Sequence, residues 1–148
     1  MTAARFAVAI SRFNPEVTGG LLAGALAEFA ERGAPVAEAD VFEAPGAFEL
    51  PLIAQALART GRYAGIACLG CVIKGDTAHF EFISAGTAWG LVSAGLATET
   101  PIAFGVLTTY TDEQAELRSR DDAGNKGREA AAACVEAAAT LAAIRAAA

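Results

Sequence analysis

The sequence predicts an α/β fold, a three-layer αβα sandwich built around a four-stranded parallel sheet. Short apolar runs alternate four times with segments of helical spacing, and this alternation is typical of a parallel sheet with helices on both faces. The four predicted strands span residues 5–10, 36–43, 63–74 and 101–107. With 148 residues the chain is long enough for a substantial core, and we expect one domain over residues 1–148.

Five helices are predicted between and after these strands. Gly33 and Pro35 end the first of them, because glycine favours a helix C-terminus and proline cannot continue a helix. Pro51 suits the first turn of the second helix. The predicted helices span residues 16–32, 51–61, 77–98, 111–117 and 129–148.

The helix predicted over residues 77–98 is strongly apolar and contains three glycines. Gly86, Gly90 and Gly95 favour the close approach of another backbone. We expect the large apolar side chains of this helix to face inward, namely those of Phe82, Ile83, Trp89, Val92 and Leu96.

Composition and charge exclude several classes of protein. The net charge of −6 argues against a nucleic-acid surface, which is normally basic. The apolar run after Arg5 is too short for a signal peptide, and Glu129, Glu136 and Arg145 make the alanine-rich end a poor membrane span. We therefore expect a cytoplasmic protein with no nucleic-acid and no membrane partner.

Three cysteines do not suit a disulfide framework, although Cys68 and Cys71 form a C-x-x-C pair. The pair lies inside a predicted strand, where residues three apart point to opposite faces. Two such thiols cannot easily bind one metal ion, so we expect small buried side chains and no metal.

Ligands of parallel α/β folds bind beyond the carboxyl ends of the strands. Four segments of this chain lie there: Phe13, residues 45–49, residues 74–79 and residues 108–118. We expect them to meet at one rim. Phe13 either covers the core or offers a flat surface to a ligand, and Glu49 either balances a helix dipole or contacts a ligand.

His79 is the only histidine, and it lies in the first turn of a predicted helix. The exposed N–H groups of a helix start favour anions. An imidazole can accept and then donate a proton near neutral pH, which suits acid–base catalysis. The alternative is that Asp76 or Thr77 only caps the helix and His79 is an incidental surface residue.

Five short motifs follow one another along most of the chain. They are Ser-Arg-Phe-Asn at 11–14, Pro-Gly-Ala-Phe-Glu at 45–49, Leu-Gly-Cys-Val-Ile-Lys-Gly at 69–75 continuing to His79, Phe-Gly-Val-Leu-Thr at 104–108 and Gly-Asn-Lys-Gly at 124–127. In this order and at this spacing the chain closely resembles the lumazine synthase family. The resemblance implies a flavodoxin-like fold.

The resemblance also implies a reaction. The family condenses 5-amino-6-(ribitylamino)pyrimidine-2,4-dione with 3,4-dihydroxy-2-butanone 4-phosphate and releases phosphate and water. The product is 6,7-dimethyl-8-ribityllumazine, in the penultimate step of riboflavin biosynthesis. Imine formation, phosphate elimination, ring closure and dehydration each move protons, and no cofactor is implied. Holding the two substrates in contact supplies much of the catalysis.

Site residues are carried over from the family by position. His79 matches the proton-transfer histidine, and Phe13, with Asn14 beside it, matches the ring that stacks on the pyrimidine. Asp76 and Thr77 match the helix start that receives the phosphate. The remaining matches are segments contacting the pyrimidine and its ribityl chain, namely Ala47, Phe48, Glu49, Cys71, Val72 and Ile73.

Three further matches come from the second half of the chain. Arg118 matches the phosphate-binding arginine, Lys126 a lysine close to the site, and Phe104 a residue reached from a neighbouring subunit's strand. The resemblance therefore implies a homo-oligomer, a pentamer with active sites between subunits, and riboflavin synthase as a further partner.

The sequence departs from the family pattern at three places, one of which is the acidic Asp76 at a phosphate site. Tyr110 stands where an acidic or amide residue is more usual, and residues 120–124 replace a Gly-Thr-Lys-Ala-Gly-like run. That run is associated with shells of sixty subunits. Asp121 and Asp122 would meet like charges at a symmetric contact, so we expect a pentamer or a pair of pentamers.

Two other functions compete with the enzyme. A flavin- or lumazine-binding carrier on the same scaffold would need neither His79 nor Arg118. A hydrolase using Cys71 and His79 would need a third group to orient the histidine, and none is apparent.

Overall fold

Four parallel strands form the central sheet of the computed structural model, which describes residues 4–148. The strands are β1 (Phe6–Ser11), β2 (Val41–Ala44), β3 (Gly65–Ile73) and β4 (Ile102–Thr109), in the order β2-β1-β3-β4. All three neighbouring pairs are parallel. The predicted α/β class and four-stranded parallel sheet are therefore confirmed.

Helices cover both faces of this sheet and complete the three predicted layers. They are α1 (Pro15–Glu31), α2 (Leu50–Arg59), α3 (His79–Thr98), α4 (Asp112–Arg118) and α5 (Lys126–Ala147). Helices α1 and α5 pack on one face of the sheet, and α2 and α3 pack on the other. The predicted boundaries differ from these by one to three residues at most ends of the helices.

Strand alternation divides the apolar side chains of β1 between two cores. Phe6, Val8 and Ile10 pack under α1 and α5, whereas Ala7 and Ala9 pack under α2 and α3. The same alternation separates Cys71 from Cys68, which lie in opposite cores as predicted. The sheet is buried on both faces, as a parallel sheet requires.

The second predicted strand is shorter than residues 36–43. A single 3-10 turn occupies Glu38–Asp40, and β2 begins only at Val41. The turn brings Asp40 to the amino end of the sheet, where the residue is 3% exposed. Pairing with β1 begins at Val41, so the alternation in the preceding residues did not indicate a strand.

The prediction that large side chains of α3 face inward is wrong for four of the five. Phe82, Trp89, Val92 and Leu96 are 52–76% exposed, and only Ile83 is half-buried. The buried face of α3 carries Thr87, Leu91 and Ala94. Because α3 is apolar on all sides, spacing alone could not identify the buried face.

Two glycines of α3 mark the places where neighbouring elements approach this helix closely. A Cβ at Gly90 would lie 2.6 Å from Pro51 Cγ, and one at Gly86 would lie 3.0 Å from Phe48 Cε1. The start of α2 and the turn before it therefore approach α3 closely. The sequence predicted the close approach of another backbone, but at these two glycines the nearest atoms belong to the side chains of Phe48 and Pro51.

Asn125 connects three parts of the chain through its buried side-chain amide. Its Nδ2 donates hydrogen bonds to the carbonyls of Gly20 and Arg120 at 3.1 and 2.8 Å. Its Oδ1 accepts hydrogen bonds from the N–H groups of Gly127 and Arg128 at 2.8 and 3.1 Å. Asn125 is thus the N-cap of α5 and attaches that helix to α1.

Helix α5 is long and apolar enough, by length and composition, to cross a membrane. Its first turns pack on α1 and on the sheet through Gly127, Ala130, Ala131 and Cys134, and the rest of the helix is largely exposed. A Cβ at Gly127 would overlap the Leu21 carbonyl, so the glycine sets how closely α1 and α5 approach.

The buried Asp40 carboxylate forms an ion pair with the half-exposed Arg5 guanidinium at the end of the sheet opposite to the predicted site. Nε and Nη2 of Arg5 donate hydrogen bonds to this carboxylate at 2.9 and 2.7 Å, and the Tyr63 hydroxyl donates a third at 2.8 Å. The Arg5 hydrogen bond, helped by the one from Tyr63, holds the pKa of Asp40 below its usual range against the effect of burial.

Asp40→Asn should lower the free energy of unfolding by about 1–3 kcal/mol at pH 7, because hydrogen bonds to a charged group are lost. The lowered pKa of Asp40 stabilises the fold above pH ~4, and this contribution disappears as the pH falls through the folded-state pKa. Urea unfolding should therefore give converging values for wild type and variant as the pH falls below ~4.

Glu43→Gln is the matched control, since its ion pair with Arg12 is exposed on both sides. We expect that variant to stay within about 1 kcal/mol of wild type. Equal losses for the two variants at pH 7 would contradict the role given to Asp40.

Candidate active site

A cavity of about 400 Å³ opens beyond the carboxyl ends of β1, β2 and β3. We call it the histidine cavity. Nine of its lining residues are predicted site residues, and only Gly46 and Ile83 were not. It is lined by Phe13, Asn14, Gly46, Ala47, Phe48, Glu49, Cys71, Val72, Ile73, His79 and Ile83.

Two exposed aromatic rings border the histidine cavity. Phe13 is 65% and Phe48 is 58% exposed, so both offer flat apolar surfaces to a ligand. Neither ring covers the core. Gly46 allows the Phe13 ring to lie close to the backbone, since a Cβ there would be 3.1 Å from Phe13 Cε2. Gly86 gives the same freedom to Phe48 from the α3 side.

Asn14 fixes the turn that carries Phe13. Its backbone is left-handed, with φ at 55°, a conformation that asparagine tolerates better than most residues. Its Nδ2 donates a hydrogen bond to the Cys71 carbonyl at 3.1 Å, which joins the end of β1 to the end of β3. In this structure the Asn14 amide therefore shapes the cavity wall.

The carboxyl end of β3 extends past its neighbour β1. The β1 register ends at the Ile10–Leu69 pair, whereas β4 pairs with β3 as far as Ile73. Within residues 4–148, the last residues of β3 thus have a strand on one side only. Their backbone N–H and C=O groups on the other side face the histidine cavity and can bind the polar edge of a flat ligand.

His79 is the first residue of α3 and is exposed to solvent. Its N–H donates a hydrogen bond to Thr77 Oγ1 at 3.3 Å, so Thr77 and not Asp76 partners the helix start. The following N–H groups of the first turn have no intrahelical acceptor. Together with the helix dipole they favour an anion beside the imidazole.

A second cavity, of about 310 Å³, lies along the outer edge of the sheet between β4 and α5. We call it the arginine cavity. Phe104, Arg118 and Lys126 line it, and Phe104 is 50% exposed on the edge strand. Arg118 Nη1 donates a hydrogen bond to the Gln114 carbonyl at 3.0 Å, which orients the guanidinium. Lys126 Nζ pairs with the exposed Glu129 carboxylate.

The predicted segments do meet at one rim. Asn14 and Ile73 line a cavity with Asp112, and Tyr110 lies beside Lys74 and Phe80. The predicted site residues, however, divide between two cavities. The structure brings nine predicted residues together in the histidine cavity and three in the arginine cavity. Asp76 and Thr77 lie in the exposed turn before α3, next to His79. Phe104 on the edge strand β4 and Arg118 at the end of α4 line a cavity that His79 does not line.

The Cys71 thiol is not a nucleophile at neutral pH. Burial, with a smaller effect of the Asp112 charge, raises its pKa to about 11. The thiol is consequently protonated, and the thiolate is the reactive form of cysteine. This argues against the Cys–His hydrolase alternative.

Comparison with known proteins agrees with the predicted family. The family model described as 6,7-dimethyl-8-ribityllumazine synthase matches residues 3–142. The chain is 70% identical over 141 residues to 6,7-dimethyl-8-ribityllumazine synthase 1 of Caulobacter vibrioides, covering 95% of this chain and 92% of that protein.

More distant relatives carry the same name. The chain is 46% identical over 132 residues to the 6,7-dimethyl-8-ribityllumazine synthase of Salinibacter ruber, which covers 89% of this chain and 85% of that one. The enzyme of Thermus thermophilus is 48% identical over 132 residues, covering 89% and 84%. The chain therefore belongs to the 6,7-dimethyl-8-ribityllumazine synthase family.

Proposed function

We propose that the histidine cavity of one subunit and the arginine cavity of a neighbouring subunit together form one active site. The family's reaction is the riboflavin-pathway step that makes 6,7-dimethyl-8-ribityllumazine, and family membership assigns this reaction to the chain. The observation that carries the proposal is the separation of His79 from Arg118 into two cavities.

The pyrimidine substrate fits the histidine cavity. Phe13 would supply a flat ring for stacking. Backbone groups at the end of β3 that β1 leaves unpaired, beside the Cys71 carbonyl held by Asn14, would supply hydrogen bonds for a ring of amides. Ala47, Phe48 and Glu49 form the side of the cavity where the ribityl chain would extend. Glu49 is half-buried, and its carboxylate can accept hydrogen bonds from hydroxyl groups.

His79 is the proposed acid–base group. It lies beside the stacking position, so its imidazole can take a proton as the amine attacks the ketone and return it when water leaves. Positioning of the two substrates contributes the rest of the rate enhancement. When both are bound side by side, imine formation and ring closure between them no longer require a bimolecular encounter.

The phosphate of the four-carbon substrate would bind at the start of α3. Backbone N–H groups of the first turn and the Thr77 hydroxyl provide donors from one subunit. Arg118 from the neighbouring subunit would add a charge-assisted hydrogen bond to the phosphate, with Lys126 nearby. These cations act locally, against a net charge of −6.

Assembly follows from the exposed apolar surface as well as from the divided site. Phe82, Trp89, Val92 and Leu96 on α3, with Leu52 on α2, are each more than half exposed. A surface of this kind marks an interface between proteins. A cyclic homo-oligomer would bury it by head-to-tail contacts, and a ring of five is our proposal.

His79→Ala should lower kcat by ~10²-fold, on the order of a general acid–base contribution. Turnover is measured by the fluorescence of the lumazine formed when purified protein is mixed with the two substrates. Glu81→Gln changes a side chain of the same helical turn and should retain the wild-type rate within about twofold. An unaltered rate for His79→Ala at every pH from ~6 to ~8 would exclude the histidine from catalysis.

Arg118→Ala should raise KM for the phosphorylated substrate by ~10- to 100-fold, the cost of losing a hydrogen bond between charged groups. KM for the pyrimidine should change little. Arg120→Ala removes the same charge two residues away, where the side chain lines a different cavity, and serves as the control. A parallel increase of both KM values in Arg118→Ala would indicate that the arginine is structural.

Light scattering at low micromolar concentration should give about 75 kDa for five chains of 15.0 kDa, or about 150 kDa for two rings. Trp89→Glu should dissociate the assembly and abolish turnover, because a charge would be buried at the interface. Ile144→Glu, at an exposed position near the end of α5, is the control.

Two results would contradict this assembly. A wild-type particle near a megadalton would indicate the sixty-subunit shell. A wild-type monomer with full turnover would exclude a site shared between subunits.

A further inference from the structure

The turn that joins β3 to α3 has few internal supports. Residues 74–79 are all exposed, and a Cβ on Gly75 would have no neighbour within 4 Å. The Lys74 N–H donates a hydrogen bond to the Thr109 carbonyl at 2.9 Å, and the His79 N–H donates one to Thr77 Oγ1. A segment with so few buried contacts opens easily unless its ends are held.

Tyr110 contacts both ends of this turn from outside. Its ring lies 5.6 Å from Lys74 Nζ, which precedes the turn, and its ring centroid is 6.0 Å from that of Phe80, which follows it. The first contact is a cation–π interaction and the second a tilted aromatic pair.

Tyr110 is itself held in place by α4. Its N–H donates a hydrogen bond to Gln114 Oε1 at 2.8 Å, and Thr111 caps α4 by accepting a hydrogen bond from the Gln114 N–H. The ring is nevertheless 66% exposed, so it is not a component of either core. An ordered aromatic at this place therefore acts on the turn more than on the stability of the fold.

We propose that Tyr110 is a positioning residue that orders residues 75–78, so that the start of α3 is ready to receive the phosphorylated substrate. This inference rests on the proposed function, which assigns the phosphate to that helix start. Tyr110 touches neither substrate in this arrangement. It acts through Lys74 and Phe80, which flank the turn.

The first test is hydrogen exchange of the backbone amides of residues 75–78 in the ligand-free protein. Tyr110→Ala should accelerate their exchange, whereas Tyr110→Phe keeps the ring and should exchange like wild type. Ile144→Ala removes an equally exposed apolar side chain from α5 and is the control. Unchanged exchange in Tyr110→Ala overturns the inference.

The second test separates the two substrates. Tyr110→Ala should raise KM for the phosphorylated substrate by ~3- to 10-fold, the scale expected for losing two weak contacts, and leave KM for the pyrimidine within about twofold. Tyr110→Phe should restore the wild-type value. A purely structural role would change both KM values together, or only the melting temperature, and would overturn the inference.

A double-mutant cycle tests whether Tyr110 acts through Lys74. Lys74→Met keeps the aliphatic stem and removes the charge, which faces Tyr110 and also lies 3.9 Å from Glu81 Oε1. The part of its effect on KM that depends on Tyr110 should be absent from Tyr110→Ala, so the two effects should add only in part. Full additivity overturns the proposed route through Lys74.

Failure of this inference and failure of the proposed function give different results. If Arg118→Ala raises KM selectively while Tyr110→Ala does not, only the role of Tyr110 is wrong. If exchange accelerates in Tyr110→Ala but neither variant changes KM selectively, the phosphate does not bind at the start of α3 and the proposed function is wrong at that point.

Discussion

The Asn125 side-chain amide is the contact on which the second half of the structure depends. It is 1% exposed, and both its donors and its acceptor lone pairs are used, so removing it would leave several buried backbone groups without partners. Gly24 leaves room for the amide, because a Cβ there would overlap it. This one amide holds three segments together: α1, the segment after α4 and the start of α5. Arg118 precedes Asn125 along the chain and Lys126 follows it. The hydrogen bonds of Asn125 therefore help to position both cations that line the arginine cavity.

The histidine cavity depends on the different lengths of the strands. Because β1 and its partner β2 stop early, β3 presents an edge of backbone groups beside the Phe13 and Phe48 rings. In the proposed site, this arrangement would let the sheet bind a flat, amide-rich ring without charged side chains. Asn14 shapes the same edge by holding the Cys71 carbonyl, so one polar side chain determines both the cavity wall and the direction of the Phe13 turn. In the proposed site, proton transfer is assigned to His79 and phosphate binding to the start of α3.

The proposed division of the site between subunits would link catalysis to assembly. A subunit that carries Phe13 and His79 in one cavity and Phe104 and Arg118 in another is suited to work with identical neighbours. The apolar residues exposed on α3 also favour assembly with identical neighbours. They are costly on an isolated chain and favourable when a neighbour covers them.

The sequence by itself determined the α/β class, the four strands and the residues at their carboxyl ends, because each depends on local patterning and on motifs with a fixed order. The apolar runs from Phe6 and Ile66 identify buried strands, and the His79 motif identifies a helix start. Only the tertiary structure decided that β4 is an edge strand and that Arg118 lies apart from His79, since strand order is not encoded in local spacing. It also decided that Trp89 and Leu96 face outward, because α3 is apolar on all sides and only the approach of Phe48 and Pro51 to its glycines selects the buried face.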